Sequence, residues 1–115
     1  MKLYIVTRKD LPPGLMLAQA CHALRGFVEA HPEEDQKWFR ESNNIVCLEI
    51  ENEGALLNLV KKAVCADIPH AVFREPDRDG EATSVAFGAG ARRLVSGLPL
   101  ALKAVQEKPL QIAAA

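Results

Sequence analysis

Leu3-Tyr4-Ile5-Val6-Thr7 and the segment from Leu15 to Ala30, separated by Arg8-Lys9-Asp10-Leu11-Pro12-Pro13-Gly14, decide the fold. The first stretch is rich in β-formers and almost continuously apolar, the pattern of a strand covered on both faces of a mostly parallel sheet. Two prolines and a glycine break that pattern. Beyond them Leu17, Ala20, Cys21, Leu24, Phe27 and Val28 recur at helical spacing, which predicts a long helix with this stripe turned to the core. Gln19, His22, Gly26 and Glu29, three and four residues apart, stand in one row on the flank expected to stay outside the core. His31-Pro32 ends the helix.

Working outward, Pro32 to Phe39 places acidic residues ahead of a basic one, in the sense the helix dipole favours, and predicts a short second helix. Ser42-Asn43-Asn44 is a turn, and Ile45 to Glu51 a second strand with Glu49 and Glu51 outward. Gly54 to Cys65 has helical spacing closed by Asp67-Ile68-Pro69, and Ala71-Val72-Phe73 is a third strand. Glu75 to Glu81 is the strongest turn signal and joins that strand to Ala82–Gly88 as a hairpin. A short helix over Arg92-Arg93-Leu94-Val95 follows, and residues 101–115 are expected to form a loosely ordered tail. Two crossover connections and one hairpin predict a single α/β domain over residues 1–115, with a four-stranded mixed sheet flanked by helices.

A chain of 115 residues has room for one core. Its 49% hydrophobic and 25% charged residues are ordinary for a soluble globular protein, and no apolar run reaches the length of a membrane span. A formal net charge of −1 provides no overall positive field, so any contact with a nucleic acid must come from a local patch. Cys21, Cys47 and Cys65 form no CxxC pair and sit in apolar stretches, which predicts buried thiols in a reducing cytosol. No export signal opens the chain, in keeping with a cytoplasmic protein. His22, His31 and His70 lack partners at metal-ligand spacing, so no metal is expected. Neither a phosphate loop nor a dinucleotide fingerprint is present, and no cofactor is expected.

Arg8-Lys9-Asp10-Leu11, then Gly14, then Ala18-Gln19-Ala20-Cys21-His22-Ala23 resembles the opening signature of the type II peptidyl-tRNA hydrolases. Gly80-Glu81-Ala82-Thr83-Ser84-Val85-Ala86-Phe87-Gly88 resembles that family's closing motif, a threonine leading into the last strand with a glycine behind it. The resemblance runs from Leu3 to about Val95. It implies a mixed sheet flanked by helices, a homodimer, and a metal-free esterase acting on the ester between a peptide and the tRNA 3′ ribose. Gln19 and His22 then correspond to the family's polar helix pair and Thr83 to its site threonine. Two departures stand out. Where the family has a lysine-rich loop, this chain has Pro12-Pro13-Gly14-Leu15-Met16, with Leu15 in the expected place of the catalytic lysine. The family's aspartate ahead of the threonine is displaced, and Glu75 is the nearest acidic equivalent.

Ester hydrolysis requires an activated water, a stabiliser for the oxyanion and a proton for the departing ribose oxygen. Leucine supplies none of these. Arg8, Lys9 or Arg74 could replace the lysine's charge, with His22 as base and Glu75 as its orienting carboxylate. The expected catalytic set is therefore His22, Gln19, Glu75 and Thr83. Contacts to tRNA would fall to Arg8, Lys9, Arg25, Arg74, Arg78, Arg92 and Arg93, clustered on one face. The competing expectation, favoured by the missing lysine, is a catalytically silent module of the same fold that grips a tRNA end or a protein.

Overall fold

A computed structural model describes residues 1–103. Its elements run β1 (Lys2–Arg8), α1 (Pro13–Ala30), α2 (Pro32–Glu41), β2 (Asn44–Ile50), α3 (Glu53–Cys65), β3 (His70–Glu75), β4 (Glu81–Phe87) and α4 (Arg92–Val95). The sheet order is β2-β1-β4-β3, with β1 parallel to β2 and β4 antiparallel to both of its neighbours. This is the mixed four-stranded α/β architecture expected, and the element order agrees throughout. α1 begins earlier than its apolar pattern because Pro13, with φ already fixed and no N–H to satisfy, suits the first helical position.

The side chains of β1 alternate between two layers. Leu3 and Ile5 pack with Ala20, Ala23 and Phe27 of α1, Trp38 of α2 and Ala86 of β4. Val6 turns to the other face, where Leu56, Leu59 and Ala63 of α3, Ala91 and Val95 around α4, and Leu48, Ile50, Val85 and Phe87 form the second cluster. No helix among the described residues is long and apolar enough to cross a membrane.

Two sequence expectations about α1 are corrected. Its inward arc is Met16, Gln19, Ala20, Ala23 and Phe27, so Leu17 and Cys21 lie outward and Gln19 lies inside. The cysteines are all exposed rather than buried. Cys21 sits just off the inward arc, Cys47 alternates with the buried Leu48 on the edge strand β2, and Cys65 is the last residue of α3. Of the segment expected as a loosely ordered tail, 101–115, the described residues Ala101 and Leu102 are held by hydrogen bonds. The Ala101 N–H donates to the Cys47 carbonyl, the Leu102 N–H donates to Glu49, and Leu100 bridges to Leu48 along the outer edge of β2. Residues 104–115 lie outside the described part.

Gly88 closes the packing under α1. A methyl group there would approach the Phe27 ring to 3.0 Å, inside ordinary contact distance. Gly88→Ala is expected to destabilise the protein by about 1–3 kcal/mol in urea titrations. The same change in a Phe27→Leu background should cost markedly less, because the smaller side chain removes the obstructing ring atoms. Equal costs in the two backgrounds would show that this contact does not limit the packing.

Candidate functional site

The buried polar side chains among the described residues are Thr7, Arg8, Gln19, Thr83 and Ser84. All of them lie where the end of β1 and the first half of β4 meet the start of α1. Buried polar groups are costly without partners, so their concentration at one end of the sheet marks a place with a specific arrangement.

The arrangement begins with a slip in the β3–β4 ladder. Phe73 pairs with Ser84 but Arg74 pairs with Ala82, leaving Thr83 as an extra residue in β4. A bulge of this kind re-aims a side chain. Here Ala82 joins the α3 cluster, while Thr83 points to α1 and its hydroxyl donates to the Gln19 carbonyl oxygen at 2.5 Å. Ser84, opposite Thr7, donates to the Val6 carbonyl, and Thr7 donates to the Met16 carbonyl of α1. Gln19 is therefore turned inward because Thr83 satisfies it there. A hydrophobic period reads any glutamine as outward, and the row expected on the outer flank loses this member to the core.

His22, one turn further along α1, is exposed and stacks on Phe73 of β3, with ring centroids 4.5 Å apart and planes at 20°. The Phe73 carbonyl also lies 3.5 Å from the Thr83 hydroxyl. Gln19, Thr83 and His22 thus meet across α1, β3 and β4. Glu75 falls two residues beyond Phe73 on the same face of β3, about 7 Å along the strand, and is half-buried. No hydrogen bond joins it to His22 among the described residues, so the direct pairing expected is not formed.

The expected cations divide. Arg8 is 5% exposed and fully engaged, donating twice to Asp10 at 2.9 and 2.8 Å, to Glu81 at 2.7 Å and to the Ala82 carbonyl at 3.2 Å. Hydrogen bonding to Asp10 raises the Arg8 pKa far above its ordinary value, and Arg8 in turn holds the Asp10 and Glu81 carboxyls below theirs. This guanidinium is therefore a buried, paired cation rather than a free surface charge. Lys9 is exposed, Arg25 pairs with Glu29 on the surface of α1, Arg74 donates to the Gly80 carbonyl, and Arg78 lies 3.6 Å from Glu81. Arg92 and Arg93 belong to α4, in the α3 layer, opposite Arg25. The seven cations therefore do not share one face, because α1 and α4 pack against opposite sides of the sheet. Among the described residues no group of three or more His, Cys, Asp or Glu is placed to hold a metal ion.

Residues 1–105 match the family model described as peptidyl-tRNA hydrolase PTH2. The chain belongs to this family. It is 31% identical over 98 residues to the peptidyl-tRNA hydrolase of Methanocaldococcus jannaschii, covering 76% of this chain and 85% of that protein. The enzyme of the same name from Methanococcus maripaludis C6 is 31% identical over 109 residues, covering 86% and 94%. A solved structure of a protein of unknown function from Agrobacterium tumefaciens C58 superposes with a TM-score of 0.63 at 16% identity, covering 86% of this chain and 96% of that one. At that identity the likeness is one of fold.

Sequence reasoning missed the roles of Phe73, Ser84 and Thr7 and the capture of Arg8. The adjacent polar pair Thr83-Ser84 inside an apolar strand was the available signal for a bulge, since strict alternation would send one of them to each face.

The Arg8 network makes a pH prediction. Asp10 and Glu81 titrate below their unfolded values, so the stability they contribute is complete above the unfolded carboxylate range near pH 4 and is lost as pH falls through the lower folded values. Arg8→Met should lower the thermal midpoint at pH 7 by roughly 5 °C or more, and the difference from the parent should shrink below about pH 3. A midpoint difference unchanged between pH 7 and pH 3 would contradict the assigned coupling.

Proposed function

We propose that this chain hydrolyses the ester joining a peptidyl group to the 3′ end of tRNA, as a cytoplasmic homodimer, at the seam where α1 crosses β3 and β4. The family match over residues 1–105 supports this reading. The single observation that supports this location is the Gln19–Thr83 hydrogen bond, one helical turn from the exposed His22, since these residues belong to the two family-like motifs.

Exposure separates the roles. Gln19 and Thr83, 1% and 0% exposed, act as positioning residues that fix α1 against β4. His22 reaches solvent and takes a proton from the attacking water as its oxygen bonds to the ester carbonyl carbon. The carbonyl carbon–ribose oxygen bond then breaks, and the imidazolium returns the proton to the departing ribose oxygen. Glu75, on the same face of β3, favours the cationic imidazolium that forms between the two transfers. Exposed Lys9, Arg25, Arg74, Arg92 and Arg93, with the half-buried Arg78, supply phosphate contacts, with Arg25 and the α4 pair on different sides of the molecule.

The test is release of peptide from purified peptidyl-tRNA. His22→Ala and Glu75→Gln are expected to lower turnover about tenfold or more, and Thr83→Val should do so with a measurable loss of stability, since it leaves the buried Gln19 oxygen unpaired. Salt-dependent tRNA binding without cleavage would replace the hydrolase with a silent binding module.

A further inference from the structure

We propose that Phe73 is a further positioning residue of this site, its ring acting as the platform that sets the plane and reach of the His22 imidazole. The inference rests on the hydrolase reading above for its catalytic consequence, although the contact itself stands apart from that reading.

Three observations carry it. Among the described residues no hydrogen bond orients His22, so the nearly parallel stack at 4.5 Å and 20° is the specific contact on its ring. An exposed side chain without such a contact samples several rotamers and is in a reactive geometry for only part of the time. Phe73, unlike Phe27 and Phe87 at 1% and 0% exposure, is only half-buried. One part of it packs against the α1-side core, leaving the rest of the ring as a ledge beneath the imidazole. Finally, Phe73 adjoins the ladder slip, and its carbonyl faces the Thr83 hydroxyl that holds Gln19. The same residue therefore borders both halves of the site, through its ring to His22 and through its backbone to Thr83. Loss of the ring should free His22 while leaving the backbone contact in place.

The experiment compares Phe73→Leu and Phe73→Tyr with the parent, using proton NMR of the His22 ring and peptidyl-tRNA cleavage. The parent and Phe73→Tyr should show the His22 ring protons shifted by the aromatic ring current, and Phe73→Leu should lose that shift. Turnover should fall roughly tenfold in Phe73→Leu with KM nearly unchanged, and return in Phe73→Tyr. In a His22→Ala background Phe73→Leu should cause no further loss, because the platform then has nothing to hold. Unmoved His22 resonances in Phe73→Leu would overturn the proposal, as would a rate loss of the same size in the His22→Ala background. Absence of cleavage by the parent would sink the hydrolase reading instead, and the resonances alone would then decide whether Phe73 holds His22. Thermal unfolding of each variant separates these results from simple loss of fold.

Discussion

Where β3 and β4 pass from Phe73 to Arg74 the ladder gains one residue on the β4 side, and the bottom of the site is organised around that insertion. Without it Thr83 would face α3, Gln19 would have no acceptor or donor in the sheet, and α1 would need an apolar residue at its inward position. With it, two successive hydroxyls face the same helix, one bonded to Gln19 and the other to the β1 backbone. The neighbouring residue is held just as specifically. The Ala82 N–H donates to Glu53 at the start of α3, and its carbonyl accepts from Arg8. Side chains from both helical layers and from β1 thus close around one irregular point in the sheet. Such closure is what permits a locally disrupted ladder to persist as a single conformation.

Arg8 performs the same service at the rim. Its side chain emerges from the end of β1 into a setting almost free of solvent, where an unpaired charge would be untenable. Asp10 forks it from the β1–α1 connection and Glu81 reaches it from the end of the β3–β4 turn. The two loops bordering the site are therefore tied through one cation. That turn adds its own constraint, with Asp79 and Gly80 both at positive φ, so that Glu81 returns to the sheet at a defined register opposite Glu75.

Element order was legible in the sequence because it depends on local period and turn chemistry. The Pro12-Pro13 break, the Asn43 turn, the Asp79-Gly80 tip and the four-residue helix at Arg92 all fall where those signals place them. The direction of Gln19 was not legible, since it depends on a partner 64 residues away that a bulge turns toward it. Arg8 looks like a surface cation for the same reason: its second carboxylate lies 73 residues along the chain. The cysteines failed differently. Their apolar neighbours suggested burial, but an edge strand and a helix offset by about one residue leave them in solvent. The juxtaposition of Gln19, His22 and Thr83 was legible through family-like motifs, whereas the stack of His22 on Phe73 pairs an outward-looking residue with one that reads simply as core.

The charge arrangement around His22 follows from these commitments. Leu15 brings no cation to the first turns of α1, and Arg8, the most deeply placed cation nearby, is neutralised by two carboxylates. Positive charge on β3 beside the seam is then left to the exposed Arg74, whose field water and salt weaken. Moving Arg8 into catalytic service would leave Asp10 and Glu81 without their partner and release the loops it joins. Its pairing is therefore part of the scaffold. Exposed cations such as Arg74 gain electrostatic strength only where a bound group excludes water from them, because screening by solvent falls as the local dielectric falls.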